Sequence, residues 1–169
     1  MSAHIPYLSA GYESGKTILI WESSSAVGSN GIQLAKAAGF NVIATCSPRS
    51  FEYVKSLGVR KVFDYNSPSV ANGIVAELDK GVFAGTYIAT GDVRAAEAAK
   101  MALAGGPIDR FKEILPVTFG GFLPEVLARG LYKIAPRPEV ISTKGLEGIQ
   151  EALDILKRGV SAKKLVVEG

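Results

Sequence analysis

One cysteine, Cys46, and one histidine, His4, are all that the 169 residues contain of either type. A lone cysteine cannot close an internal disulfide and fits a reducing compartment; with a single histidine, no metal cluster can be built from soft ligands. Cys46 lies within a strand pattern, where a small core hydrophobe is the ordinary role. Long apolar runs are also missing. The hydrophobic stretches are strand-sized, so nothing reads as a membrane span. No block of Lys and Arg reads as a nucleic-acid patch, since Lys163 and Lys164 form only a pair. The opening MSAHIPYLSAGYESG has no apolar core behind a basic start and is not read as a signal peptide. The expectation is a cytoplasmic protein without metal, membrane or nucleic acid among its partners. Its hydrophobic share of 47% and net charge of +3 place it with ordinary globular chains of one domain.

What is present is a rhythm. Residues 1–15 read as a leader. Strands are predicted at 17–21, 41–46, 61–65 and 84–89, and helices at 27–38, 51–57, 69–78 and 93–103. Gly39 and Gly58 stop the first two helices. The first helix carries Val27, Ile32, Leu34, Ala35 and Ala38 as its sheet-facing side. Regular β-α alternation with short links predicts an α/β fold, a Rossmann-like doubly wound parallel sheet with helices on both faces. Such sheets bind ligands at the carboxyl ends of their strands. After Ala104 the rhythm breaks. AGGPIDRFKEILPVTFGG offers one strand, at 113–119, so the domain reads as abridged after its fourth strand. A helix at 123–129 follows, then an amphipathic one at 144–159 with Leu146, Ile149, Leu153 and Leu156 on one side. KKLVVEG ends the chain as a short strand.

The functional signal lies in residues 18–50, ILIWESSSAVGSNGIQLAKAAGFNVIATCSPRS. This is one βαβ unit. In a standard dinucleotide fingerprint, glycines would stand at positions 23, 25 and 28; only Gly28 is there, and Ser23 and Ser25 replace the others. Small side chains still admit backbone amides to a pyrophosphate, and the helix N-terminus favours an anion. The same serines could equally serve only as helix caps. Glu22 places a carboxylate beside the turn. The residue that reads the ribose stands about 20 positions on and is acidic in NAD-preferring units. Here it is Ser47, with Arg49 close behind. A hydroxyl and a guanidinium suit a 2′-phosphate, which an Asp would repel. Standing alone, Arg49 would be read as a solvated surface residue; the βαβ spacing turns the reading towards NADP(H).

Taken together, LIW, SS-x-VGSN, IQLAKAAG, ATCSPR, VFDYNSPS and GLEGIQEALDILKRGVSAKKLVV resemble the nucleotide-binding domain of medium-chain dehydrogenases/reductases. The likeness is to the zinc-independent branch of quinone oxidoreductases and trans-acting enoyl reductases. It covers residues 16–89 and 122–167. The resemblance implies that Ser24, Ser25, Ala26, Val27 and Gly28 cradle the pyrophosphate and that Ser47, Pro48 and Arg49 surround the 2′-phosphate. It also implies Tyr65 near the adenosine, Thr90 near the nicotinamide ribose, and Val166 and Val167 in a segment that closes over the cofactor. For Tyr65, Val166 and Val167 the alternative is plain strand packing. The family has a GroES-like catalytic domain ahead of residue 16, and that half is expected to be absent. The expected function is the cofactor half of a reductase passing hydride from NADPH to a quinone or activated double bond. The isolated chain is then expected to lack a complete active site. The alternative is a non-catalytic nucleotide-binding or self-associating module, as a homodimer or larger homo-oligomer. No catalytic residue is assigned; Tyr65 and Tyr87 qualify by residue type alone.

Overall fold

The structure, a computed structural model, describes residues 15–89 and 120–169. The expected leader, Thr90, the helix at 93–103 and the strand at 113–119 lie outside these residues.

Four strands, β1 (Lys16–Trp21), β2 (Asn41–Cys46), β3 (Lys61–Asp64) and β4 (Val82–Ile88), form a parallel sheet in the order β3-β2-β1-β4. The helices between them are α1 (Ala26–Ala37), α2 (Phe51–Ser56) and α3 (Val70–Leu78). Adjacent residues of a strand point to opposite faces, so a nearly continuous apolar run feeds two cores. On one face Ile20, Val42, Ala44 and Cys46 pack with Ile32 and Ala35 of α1 and Val54 and Leu57 of the α2 region. On the other, Leu19, Trp21 and Ile43 pack with Ile74 and Leu78 of α3. Helices therefore cover both faces, as a doubly wound sheet requires. Among the described residues, β4 pairs with β1 alone.

The chain resumes with α4 (Leu123–Ala128), β5 (Pro138–Val140), α5 (Gly145–Lys157) and β6 (Lys164–Val166). β5 and β6 pair in parallel as a separate two-stranded sheet, with α5 as the crossover. β5 was not expected from sequence, because three residues set among Pro136 and Pro138 carry no readable period. This second unit is tied to α1. Gln33 and Lys133 exchange two hydrogen bonds (2.9 and 2.7 Å), and the Tyr132 hydroxyl donates to Asn30 Oδ1 at 3.0 Å.

One expectation about a helix face is corrected. Val27 does not lie on the sheet side of α1. It is 50% exposed, and Gly28, Ser29, Ile32 and Ala35 are the buried positions. The apolar stripe of α5, Leu146, Ile149, Leu153 and Leu156, is exposed, and the helix buries Gly148 and Ala152 instead. A Cβ at Gly148 would strike the Thr143 carbonyl and the Val167 side chain, so the small residues are the contact side. Among the described residues, no helix is long and apolar enough to cross a membrane.

Candidate functional site

The carboxyl ends of β1, β2 and β3 meet the turn that follows α5 around an open cavity of about 300 Å³. The β1 side supplies Glu22, Ser24, Ser25 and Ala26, the β2 end Ser47 and Arg49, and the β3 end Tyr65. Val160, Ser161, Ala162 and Lys163 close the opposite side.

Local chemistry explains the β1–α1 turn. Glu22 takes a left-handed backbone (φ 55), which lets the chain reverse after β1. Its amide donates to Thr45 Oγ1 at 3.1 Å. Ser25 caps α1: its hydroxyl accepts from the Gly28 amide at 3.0 Å and donates to the Glu22 carbonyl at 3.0 Å. That cap uses the third amide of the helix. The amides of Ala26 and Val27, which an α-helix cannot bond internally, remain directed outward from its first turn. Gly28 is fixed by space. A Cβ there would lie 2.6 Å from both the Glu22 carbonyl oxygen and the Ser23 Cα. Behind the turn, Ser29 Oγ donates to the Ser23 carbonyl (3.1 Å) and receives the Tyr53 hydroxyl (2.7 Å).

At the β2 end, Pro48 starts a single 3₁₀ turn, Pro48–Ser50. The Ser47 side chain makes no capping bond, and Arg49 is exposed over the cavity. The opposite wall is held to this turn by Ser50 Oγ and Ser161 Oγ, 3.0 Å apart. Ala162 has φ 51, a conformation that favours glycine. Lys163 Nζ lies 2.7 Å from a Glu139 carboxylate oxygen on β5. Arg49 and Lys163 against Glu22 leave the lining with a net positive balance, suited to an anion.

Of the residues singled out from sequence, Ser24, Ser25, Ala26, Ser47, Arg49 and Tyr65 line one cavity. Val27, Gly28 and Pro48 shape its turns without lining it. Val166 pairs with Val140 across the small sheet, and Val167 packs near Gly148. It is the turn before β6, not β6 itself, that reaches the cavity. Ser161 and Lys163 escaped the sequence reading, although they sit in the GVSAKKLVV stretch that carried the family likeness. Tyr87 lies on β4 with its ring against α1: a Cβ at Gly31 would be 3.0 Å from the ring. That is a packing position.

A family profile described as "Zinc-binding dehydrogenase" matches residues 26–108. Dehydrogenase azaJ of Aspergillus niger is 41% identical, over 90% of this chain and 53% of its own length. Trans-enoyl reductase himH of Aspergillus japonicus is 34% identical over 91% of this chain and 52% of its own. The chain belongs to the medium-chain dehydrogenase/reductase superfamily. It spans about half the length of these relatives. The azaJ alignment runs over 184 positions, more than the 169 residues here, so that dehydrogenase carries residues without a counterpart in this chain. Solved medium-chain reductases share the fold. A mycobacterial quinone oxidoreductase superposes with a TM-score of 0.67 at 18% identity, covering 94% of this chain and 58% of its own. CurA of Vibrio vulnificus, solved in complex with NADPH, gives 0.63 at 19%, covering 93% and 58%.

The family description names zinc. Among the described residues, no group of three or more His, Cys, Asp or Glu could hold a metal ion. Cys46 is buried in the core between β2 and the α1–α2 layer.

Proposed function

We propose that this chain is the NADP(H)-binding domain of a zinc-independent medium-chain reductase. The full enzyme would use NADPH to reduce a quinone or an activated double bond. One observation carries the reading: the helix-capping turn of β1–α1 and the Ser47–Arg49 turn of β2 line the same cavity, with a hydroxyl and a guanidinium where an NAD-preferring unit has a carboxylate. The NADPH bound to CurA supports the choice of ligand.

In this reading Ser24, Ser25 and the outward amides of Ala26 and Val27 hold the pyrophosphate, with Gly28 keeping α1 close to β1. Ser47 and Arg49, set by Pro48, take the 2′-phosphate, and Tyr65 lies against the adenosine ribose. Thr90, Val166 and Val167 keep the family's roles further along the cofactor as part of the proposal. The cofactor supplies the hydride; the chain's own work is to bind and orient it. The free thiol of Cys46 agrees with a reducing, cytoplasmic setting.

Fluorescence titration with NADPH and NADH tests the assignment. Arg49→Ala should weaken NADPH by at least about tenfold, the scale of one charged hydrogen bond, and leave NADH nearly unchanged. Equal loss for both would overturn the NADP(H) reading.

A second reading, a non-catalytic module that self-associates, is favoured by the open stripe of α5, where Leu146 is 81% exposed. Turnover of a quinone with NADPH by the full chain would decide against it. NADPH binding without turnover, together with a dimer in sedimentation, would decide for it.

A further inference from the structure

We propose that Lys163 is a second specificity-determining cation for the nucleotide's 2′-phosphate, set opposite Arg49, and that Glu139 holds it in the nucleotide-free protein. The inference rests on the NADP(H) reading above and deepens it.

The structure gives Lys163 a position that its place in the sequence would not. It follows α5, more than a hundred residues from Arg49, yet both line the same cavity. The turn carrying it is fastened to the Arg49 turn by the Ser50–Ser161 hydroxyl pair at 3.0 Å. At Ala162 the backbone passes through φ 51, which lets both Ser161 and Lys163 reach the cavity edge. Lys164, the next residue, begins β6 instead.

Lys163 is not idle without a ligand. Its Nζ lies 2.7 Å from Glu139, and both side chains are about half exposed, at 50% and 54%. An ion pair in that setting is weak and exchangeable. A phosphate dianion offers more charge and more acceptor oxygens than one carboxylate, and Arg49 shares it from the other wall. Lys163 would therefore leave Glu139 for the 2′-phosphate. NADH carries no such phosphate and would leave the pair in place. Glu139 thus lowers affinity for NADPH alone.

The test uses the full chain and titrates NADPH and NADH against wild type, Lys163→Gln, Lys163→Arg and Glu139→Gln. Lys163→Gln should weaken NADPH on the order of tenfold, the scale of one charged hydrogen bond, with NADH unchanged and a shallower salt dependence for NADPH. Lys163→Arg should restore most of the loss. Glu139→Gln should tighten NADPH severalfold and leave NADH alone. If Lys163→Gln leaves NADPH unchanged, or weakens both nucleotides equally, the role of Lys163 is overturned while Arg49→Ala still judges the broader reading. If wild type binds neither nucleotide, the broader reading falls, and this inference with it.

Discussion

Ser23 and Thr45 are joined twice. The Ser23 amide and the Ser23 hydroxyl both donate to the Thr45 carbonyl, at 2.9 and 2.8 Å. This pair locks the end of β1 to the end of β2 where the cavity begins. It also explains how a serine stands where a dinucleotide turn would have glycine: the side chain is fully buried, and its hydroxyl is satisfied. Ser23→Ala should cost about 1 kcal/mol, the net worth of one such hydrogen bond, read as a lower urea midpoint with an unchanged slope.

Gly28 should tolerate nothing larger. An added Cβ meets two backbone atoms at 2.6 Å, so α1 would have to move off the turn. Gly28→Ala is expected to cost about 1–3 kcal/mol from overpacking. Thermal unfolding checks it, with Gly81→Ala as the control, because a Cβ at Gly81 meets nothing within 4 Å. Equal shifts for the two variants would remove the packing argument.

Much of this architecture was legible in the sequence, for a physical reason. β1 and β2 are apolar on both faces, so their runs stand out, and Gly39 (φ 79) and Gly58 (φ 87) end helices where left-handed backbone was expected. Ser47 and Arg49 could be placed because they sit at a fixed distance along one βαβ unit. The second half was harder. Leu146, Ile149, Leu153 and Leu156 form a clear period, and a period does not say which side is covered. Lys163 was hidden for a similar reason: a contact between residues distant in sequence, Ser50 with Ser161, ties its turn to that of Arg49.

Cys46 should be unreactive in the native protein. Burial pushes its thiol from 9.0 up to about 11, partly offset by the Ser23 hydroxyl and reinforced by Asp64. The fold thus favours the protonated thiol. That contribution is intact below pH 9 and is lost as pH rises towards 11. Thiol-disulfide exchange at pH 8 should stay slow until denaturant opens the domain, then run at the rate of an ordinary thiol. Fast labelling without denaturant would contradict the burial.

Glu77 predicts the opposite pH limb. It lies buried at the end of α3, with Arg60, Lys61 and Lys80 at 2.9, 3.1 and 2.9 Å. Hydrogen bonds from Lys80 first and Lys61 second hold its carboxyl down at about 2, against an opposing effect of burial. A depressed carboxyl stabilises the fold above its unfolded value of 4.5, and the gain disappears as pH falls towards 2. Unfolding midpoints should drop over that window. Glu77→Gln should flatten the drop, and added salt should shrink it, because all three cations reach solvent. An acid limb that Glu77→Gln leaves unchanged would assign it to other carboxylates.

Glu22 sets the last expectation, because two costs meet at one residue. Its φ of 55 lies where a side chain is disfavoured, and the residue lines a cavity otherwise suited to an anion. The main-chain bond to Thr45 Oγ1 does not depend on the side chain, so Glu22→Gly keeps it. Relief of left-handed strain, about 1–2 kcal/mol, then offsets the added freedom of glycine in the unfolded chain, about 0.5–1 kcal/mol. Stability should hold or rise slightly in thermal unfolding. Removing the charge should tighten NADPH and NADH together, because the β1–α1 turn faces the pyrophosphate that both share. This separates Glu22 from Arg49, whose loss should affect NADPH alone. Tightening confined to NADPH would move Glu22 from the pyrophosphate to the 2′-phosphate end of the cavity.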